Sequence, residues 1–284
     1  MPARLAIFIV GAFMWAISNT AFAAETRITW HGHATFEVVT PKGNVVLIDP
    51  WLNNPKNPRG GEDKDLVEEL KRADYILVTH AHTDHIGDSS AIGTRTGAEL
   101  VAQPELGKQI IKLMGFPAKQ FGWNTMMNMG GSLSLADGEI TVSMTDAKHS
   151  SGMDNPFAKG DEKTPPVVYA GNPAGFVVRI EGGPTLYHSG DTDYFGDMKL
   201  IGERYAPDLA LLCAGDHFTM DPKTAAHAAQ AVNAKLSVPM HWGTFPVLAQ
   251  SIEPFVSEAK SLGVETHVMK PGETLVYEGD TLKQ

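Results

Sequence analysis

Cysteine is almost absent from the chain, whose 284 residues include a single one, Cys213. One thiol cannot close an intramolecular disulfide, so a disulfide-stabilised fold is excluded. Cys213 lies in the apolar run "PDLALLCAG", where a small buried thiol is typical. We therefore expect a structural cysteine rather than a catalytic one.

Basic residues are also in the minority. The chain has 23 Lys and Arg against 33 Asp and Glu, a net charge of −10, and no run of basic residues. An acidic surface favours solubility and disfavours contact with a phosphate backbone. We therefore expect a small-molecule substrate and no nucleic-acid partner, while the composition leaves the oligomeric state open.

No apolar stretch reaches the roughly 20 residues that a membrane-spanning helix needs. The longest is the 13-residue run from Leu5 to Ile17, preceded by Arg4 and followed by the small residues Ala21 and Ala23. This is the layout of a secretory signal peptide cleaved after Ala23. We expect residues 1–23 to be removed and the mature protein, with a net charge of −11 after loss of Arg4, to be periplasmic or secreted. The alternative is an uncleaved membrane anchor.

The remaining residues, 24–284, alternate between strand and helix patterns. "TRITWHGHATFEVVT" and "NVVLIDP" predict a hairpin, and "FGWNTMMNMGG" is interpreted as a methionine-filled core strand. "EDKDLVEELKRAD", "PELGKQIIKLMG" and "DPKTAAHAAQAVNA" predict helices, the last with Asp221 as its N-cap. Both halves consist of strands followed by helices, which indicates one α/β sandwich domain with sheets inside and helices outside.

Several apolar runs end in an imidazole or a carboxylate, at His80, His149, Asp191 and His241. In α/β folds, functional groups gather at strand ends that share one sheet edge. The first run continues as "THAHTDH", which adds His82, Asp84 and His85 within a few residues. Imidazole together with carboxylate suits Zn²⁺ or a similar ion. The pattern therefore predicts a metal centre.

The spacing of these residues favours two ions over one. His80 and His82 are two apart and point the same way on an extended segment, whereas Asp84 and His85 lie past a turn and point to a neighbouring position. His149 and His241 are available to complete the two half-sites. Asp191 is a candidate bridge between ions about 3.5–4 Å apart.

The motif "THAHTDH" resembles the H-x-H-x-D-H motif of the metallo-β-lactamase superfamily. The remaining motifs, "VLIDPW", "KHSSG", "SGDTD" and "PMHWGT", occur along the chain in the family's order. The chain is most similar to a branch of predicted metal-dependent hydrolases related to the ascorbate-phosphate lactonase and N-acyl-phosphatidylethanolamine phospholipase groups. This resemblance implies a four-layer αββα sandwich with two divalent ions, zinc, manganese or iron. The implied ligands are His80, His82 and His149 for the first ion, Asp84, His85 and His241 for the second, and Asp191 as the bridge.

The expected activity is hydrolysis of a small ester, lactone or phosphoester by a metal-bridging hydroxide. Asp84 would orient the nucleophile, and His217 in "GDHFT" would donate a proton to the leaving group. An anionic substrate would balance the positive charge that two divalent ions leave at the site. Two alternatives are a non-catalytic metal-binding protein and an iron-dependent oxidative enzyme. His82 favours hydrolysis, because redox members of the superfamily often carry Glu there.

Other polar residues near these motifs have more than one interpretation. We expect Asp49 to accept a hydrogen bond from a ligand histidine or a ligand-loop amide. A role in capping the turn before Pro50 is an alternative that does not exclude the first. His33 either lines the cleft or lies on the hairpin surface. Thr244 is a candidate for a substrate hydrogen bond. We expect His188 to be structural and His227 to face solvent.

Overall fold

The computed structural model describes residues 25–60, 64–159 and 163–283. The predicted signal peptide, residues 1–23, lies outside the described residues. Among the helices that are described, none is both long and apolar enough to cross a membrane.

The first sheet has seven strands in the order β15-β14-β1-β2-β3-β4-β5. Its strands are β1 (Glu25–Trp30), β2 (Phe36–Val39), β3 (Val45–Ile48), β4 (Tyr75–Leu77), β5 (Glu99–Val101), β14 (Thr274–Glu278) and β15 (Thr281–Leu282). The three strands β3, β4 and β5 are parallel, and the other neighbours are antiparallel. The segment predicted as the opening hairpin forms three consecutive antiparallel strands, β1, β2 and β3.

The second sheet has six strands in the order β13-β12-β11-β10-β7-β6. Its strands are β6 (Ser132–Leu135), β7 (Ile140–Asp146), β10 (Ala174–Ile180), β11 (Thr185–His188), β12 (Leu209–Cys213) and β13 (Leu236–Met240). Strands β11, β12 and β13 are parallel, and β7 runs in the same direction because both β7 and β11 are antiparallel to β10. A separate two-stranded hairpin consists of β8 (Gly152–Asp154) and β9 (Val167–Tyr169).

The helices cover the outer faces of both sheets. They are α1 (Leu66–Glu69), α2 (Thr83–Ile86), α3 (Ser89–Thr96), α4 (Pro104–Met114), α5 (Met198–Tyr205), α6 (Pro222–Val232) and α7 (Glu253–Ser261). Strand β3 shows the layering, since Val46 and Ile48 join the core between the sheets while Leu47 packs with Ile92 of α3 and Ile110 of α4. Helices α5, α6 and α7 pack on the second sheet. The four-layer αββα sandwich is confirmed.

Two local predictions are wrong. The helix expected over "EDKDLVEELKRAD" is reduced, in its described part, to the four residues of α1, because only Leu66 and Val67 are buried and Leu70 is extended. The methionine-rich segment at residues 121–131 is a series of turns rather than a strand, with Met127 buried and Trp123 90% exposed.

The strand directions bring functional groups to one edge of the sandwich. Parallel strands that share a direction end at the same edge of their sheet. In the first sheet β3 and β4 end together, and in the second sheet β7, β11 and β13 end together. The loops that follow these strands therefore face one another where the two sheets meet.

Candidate metal centre

All seven ligands expected from the sequence follow those strand ends. His80 and His82 lie just beyond β4, Asp84 and His85 lie on α2, and the remaining three follow β7, β11 and β13. Two glycines permit the close approach of these loops. A Cβ on Gly190 (φ +59°) would lie 2.5 Å from the Ala174 carbonyl oxygen, and one on Gly215 would lie 2.5 Å from His241 Nδ1. The loops that carry the ligands therefore pack closely against one another at the centre.

The first set of donors comes from three histidines. His82 Nδ1 lies 3.0 Å from His80 Nε2 and 3.2 Å from His149 Nε2. The other nitrogen of His82, Nε2, faces the Ser150 hydroxyl at 3.2 Å. His80 Nδ1 donates to Thr79 Oγ1 at 3.0 Å, which leaves the lone pair of His80 Nε2 directed at the cluster.

The second set comes from His85, His241 and Asp84. The Nε2 atoms of His85 and His241 lie 4.0 and 3.8 Å from Asp84 Oδ2. His33 Nε2 lies 2.9 Å from the same oxygen. One ligand atom of each of these four residues lies within 4.8 Å of the others.

Asp191 joins the two sets. Its Oδ2 lies 4.0 Å from His80 Nε2 and 3.6 Å from His149 Nε2 on one side. On the other side it lies 3.3 Å from His85 Nε2 and 3.2 Å from His241 Nε2. A carboxylate between two donor sets is the arrangement of a bridged two-metal site.

Burial and mutual charge shape the pKa values of these groups. Burial and the neighbouring His85 hold the pKa of His80 well below its usual value. Burial also acts against protonation of His85, but the carboxylates of Asp191 and Asp49 outweigh it and raise the His85 pKa. The pKa of Asp191 is lowered, because His241 and His85 overcome the cost of burying the charge. The centre thus keeps Asp191 ionised.

Metal ions fit this set of donors. Four buried atoms that face the centre or its walls have no hydrogen-bond partner in the described structure, namely His85 Nε2, His241 Nδ1, His241 Nε2 and Asp191 Oδ1. An unpaired buried polar atom is costly and is rare in native proteins. Imidazole nitrogens and carboxylate oxygens that converge in this way satisfy the preferences of Zn²⁺ and related ions.

Asp49 supports both donor sets from behind. It is fully buried, and its Oδ2 accepts hydrogen bonds of 2.7 Å from His85 Nδ1 and from Thr79 Oγ1. Its Oδ1 accepts from the Thr79 amide at 2.8 Å. Because the Thr79 hydroxyl in turn accepts from His80, one carboxylate fixes the ring orientation of a histidine in each set. Both hydrogen-bonding roles considered for Asp49 from the sequence are present.

His33 lies inside the centre, not on the hairpin surface. Its side chain is 0% exposed, its Nε2 donates to Asp84 Oδ2, and its Nδ1 accepts from Thr244 Oγ1 at 2.9 Å. Burial, together with His241, lowers the pKa of His33 to about 4, so the ring is neutral with one N–H. Its carbonyl oxygen accepts from the His241 amide and the Trp30 indole. Thr244 therefore contacts His33. It is not among the residues that line the cleft beside the two donor sets.

Three other histidines lie away from the donor sets. His188 is buried, donates from Nε2 to the Ala34 carbonyl at 2.9 Å and accepts from the Gly190 amide at Nδ1, which is a structural role. His227 is 48% exposed and lies beside Glu258. His217 is exposed and outside the cleft lining, whereas the next residue, Phe218, lines the cleft.

Cys213 is fully buried, and its thiol donates to the Thr192 carbonyl. Burial, reinforced by the charge of Asp191, raises its pKa to about 12. A thiol in this state is a poor nucleophile and a poor metal ligand. The position agrees with a structural cysteine.

Comparison with known proteins identifies the fold family. Residues 44–242 match the family model described as a beta-lactamase superfamily domain. A UPF0173 metal-dependent hydrolase of Thermodesulfovibrio yellowstonii is 48% identical over 255 residues, covering 89% of this chain and 92% of that protein. Another, from Anaeromyxobacter sp. strain K, is 45% identical and covers 90% of this chain and 89% of its own.

A solved structure agrees with these relatives. Igni18, a metallo hydrolase from Ignicoccus hospitalis, is 34% identical with a TM-score of 0.73, covering 89% of this chain and 99% of Igni18. The chain belongs to the metallo-β-lactamase superfamily and is a metal-dependent hydrolase.

Proposed function

We propose that the protein is an exported hydrolase that binds two divalent ions, zinc in the first instance, and cleaves a small ester, lactone or phosphoester. Manganese and iron are the alternative metals. The observation that carries the proposal is the position of Asp191 Oδ2, which lies within 4.0 Å of ring nitrogens from both donor sets. His80, His82 and His149 would hold one ion, Asp84, His85 and His241 the other, and Asp191 both.

Two ions held by these residues would supply a hydroxide nucleophile from water near neutral pH and would polarise the scissile oxygen. The protein contributes orientation. Asp49 directs the rings of His80 (through Thr79) and His85, and His33 holds the carboxylate of Asp84.

Asp84 is the proposed catalytic carboxylate. It lines the cleft, and its Oδ2 receives the hydrogen bond from His33. Burial alone would raise its pKa, but the hydrogen bond from His33 and the charge of His85 lower it. Asp84 is thus an ionised hydrogen-bond acceptor that can orient the nucleophile. Protonation of the leaving group by His217 remains a prediction. It is tested by measuring how kcat depends on leaving-group basicity in the wild type and in His217→Gln.

The test is hydrolysis by purified, zinc-loaded protein across a lactone, a thioester, a carboxylic ester, a phosphodiester and a phosphomonoester. Activity on one of these classes should fall at least 100-fold in Asp84→Asn and His241→Ala, in line with the loss of a group that acts directly at the metal centre. Full activity in both variants, or no activity of the wild type on any class, would overturn the proposal.

Export has its own test. The full chain should yield a periplasmic or secreted protein whose intact mass corresponds to a start at Ala24. A retained N-terminus in the membrane fraction would support the uncleaved anchor instead.

A further inference from the structure

A cleft of about 590 Å³ opens onto the metal centre. Its floor includes side chains of both donor sets, among them His82, His149 and His241. A cavity of this volume is in the usual range for small-molecule sites. The residues around that floor therefore decide which substrates reach the centre.

The charged groups of this cleft all carry the same sign. Among the described residues that line it, the ionised side chains besides histidine are the carboxylates of Asp84, Asp154 and Asp191, and none is Lys or Arg. Asp154 is exposed and lines the same cleft as His82. Proteins that select phosphate or carboxylate groups usually present Arg or Lys to them. Beyond the metal centre itself, the described lining of this cleft offers an anion no balancing side chain.

Two walls of the cleft are apolar and exposed. Phe218, on the turn after β12, is 59% exposed, and Val167, at the start of β9, is 53% exposed. Val167 is the direct partner of Asp154 in the β8–β9 hairpin, so the two side chains lie on the same face of it. Exposed apolar side chains that face a cavity are typical of sites for apolar ligand groups.

We propose that the substrate is an uncharged carboxylic ester, lactone or thioester whose apolar group lies between Phe218 and Val167. The inference rests on the proposed hydrolase function and narrows it. Within that function, Asp154 disfavours phosphoesters and other anions at the entrance. This substrate class differs from the anionic substrate considered from the sequence.

The experiment compares kcat/KM for p-nitrophenyl acetate, p-nitrophenyl hexanoate and bis(p-nitrophenyl) phosphate with zinc-loaded protein. The hexanoate should exceed the acetate by about 16-fold, since it has four more methylenes and each half-buried methylene contributes on the order of twofold. Phe218→Ala should lower this hexanoate-to-acetate ratio to about threefold or less. Trp123→Ala, the matched change at an exposed aromatic outside the cleft, should leave the ratio unchanged.

The effect of the Asp154 charge is tested by Asp154→Lys. This substitution should raise the ratio of kcat/KM for bis(p-nitrophenyl) phosphate to kcat/KM for p-nitrophenyl acetate by about three- to tenfold. Glu265→Lys, a matched change at an exposed carboxylate near the opposite end of β13 from His241, should not. Comparing each ratio between the wild type and a variant cancels the different intrinsic reactivities of the substrates. A binding measurement is independent of turnover: the dissociation constant of 2-octanone, an uncharged ketone, should rise several-fold in Phe218→Ala by calorimetry.

The outcomes separate the two proposals. Preferred cleavage of the phosphodiester, with ratios that neither Phe218→Ala nor Asp154→Lys changes, would overturn the substrate class and leave the hydrolase intact. Absence of hydrolysis on every substrate would overturn the proposed function and this inference with it. Expected ratios together with ketone binding that depends on Phe218 would support both.

Discussion

Substitution Asp49→Asn should weaken metal binding without disturbing the fold. Asp49 has φ +45°, a conformation that Asn tolerates well, so the backbone should be retained. The new Oδ1 can still accept from the Thr79 amide, as Asp49 Oδ1 does at 2.8 Å. The new amide NH₂ then replaces Oδ2, which accepts from Thr79 Oγ1 and from His85 Nδ1.

The consequence is a change of tautomer at His85. An NH₂ group facing Nδ1 favours the ring form with its proton on Nε2, the atom that faces Asp191 at 3.3 Å. A protonated Nε2 cannot donate its lone pair to a metal ion. The Thr79 hydroxyl also loses its acceptor, which loosens the hydrogen bond to His80. Loss of such a supporting contact typically lowers metal affinity by about 10- to 100-fold, or about 1.4–2.7 kcal/mol.

The assay is competition between the protein and a chromophoric chelator for Zn²⁺, fitted for both ions. Asp208→Asn is the matched control, because Asp208 is also buried and accepts from a backbone amide, that of Thr185, but lies at the other end of the parallel strands. It should lower stability and leave zinc affinity unchanged. Equal zinc affinities in the wild type and Asp49→Asn would refute the tautomer argument.

Three further outcomes follow from named contacts. Thr244→Val removes the hydroxyl that donates to His33 and should lower the free energy of unfolding in urea by about 1–3 kcal/mol, whereas an unchanged midpoint would count against this contact. Cys213 should not react with a thiol reagent in the native protein below pH 9, because only the thiolate attacks and the pKa is about 12; rapid labelling would contradict its burial. Asp221→Ala removes the acceptor for two amides at the start of α6 and should cost about 1 kcal/mol by the same denaturation assay. Asp197→Ala, at an N-cap without a side-chain hydrogen bond, should cost less, and equal losses would contradict the capping argument.

The features that could be predicted from the sequence are those that depend on short-range patterns. Apolar runs that end in His or Asp defined the strands and placed the groups at their ends, as at His149 and His241. The start of α6 could be predicted in the same way, since Asp221 is its N-cap and Pro222 is its first residue. These signals are local, so a single sequence contains them.

The contacts that escaped prediction depend on distant parts of the chain. His33 bonds Thr244, 211 residues away, and Asp84, 51 residues away. The β1–β2 turn packs both against the end of β13 and against α2, which brings them together, and no spacing rule specifies this packing. The one available signal was the clustering of His33 with a small-residue turn, "HGHA", which applies equally to a surface hairpin. The length of helix α1 was overestimated. Its charges are arranged as in a helix, but its buried apolar surface is small.

We propose that the centre binds two ions in separable half-sites. The number of metal ions bound per chain tests this proposal. Metal-free protein is equilibrated with Zn²⁺ and its bound metal is counted by elemental analysis, for the wild type, His82→Ala, His241→Ala and the exposed-histidine control His227→Ala. We expect two ions per chain in the wild type and the control, and about one in each of the other two variants. One ion in the wild type, or two retained in both His82→Ala and His241→Ala, would contradict it.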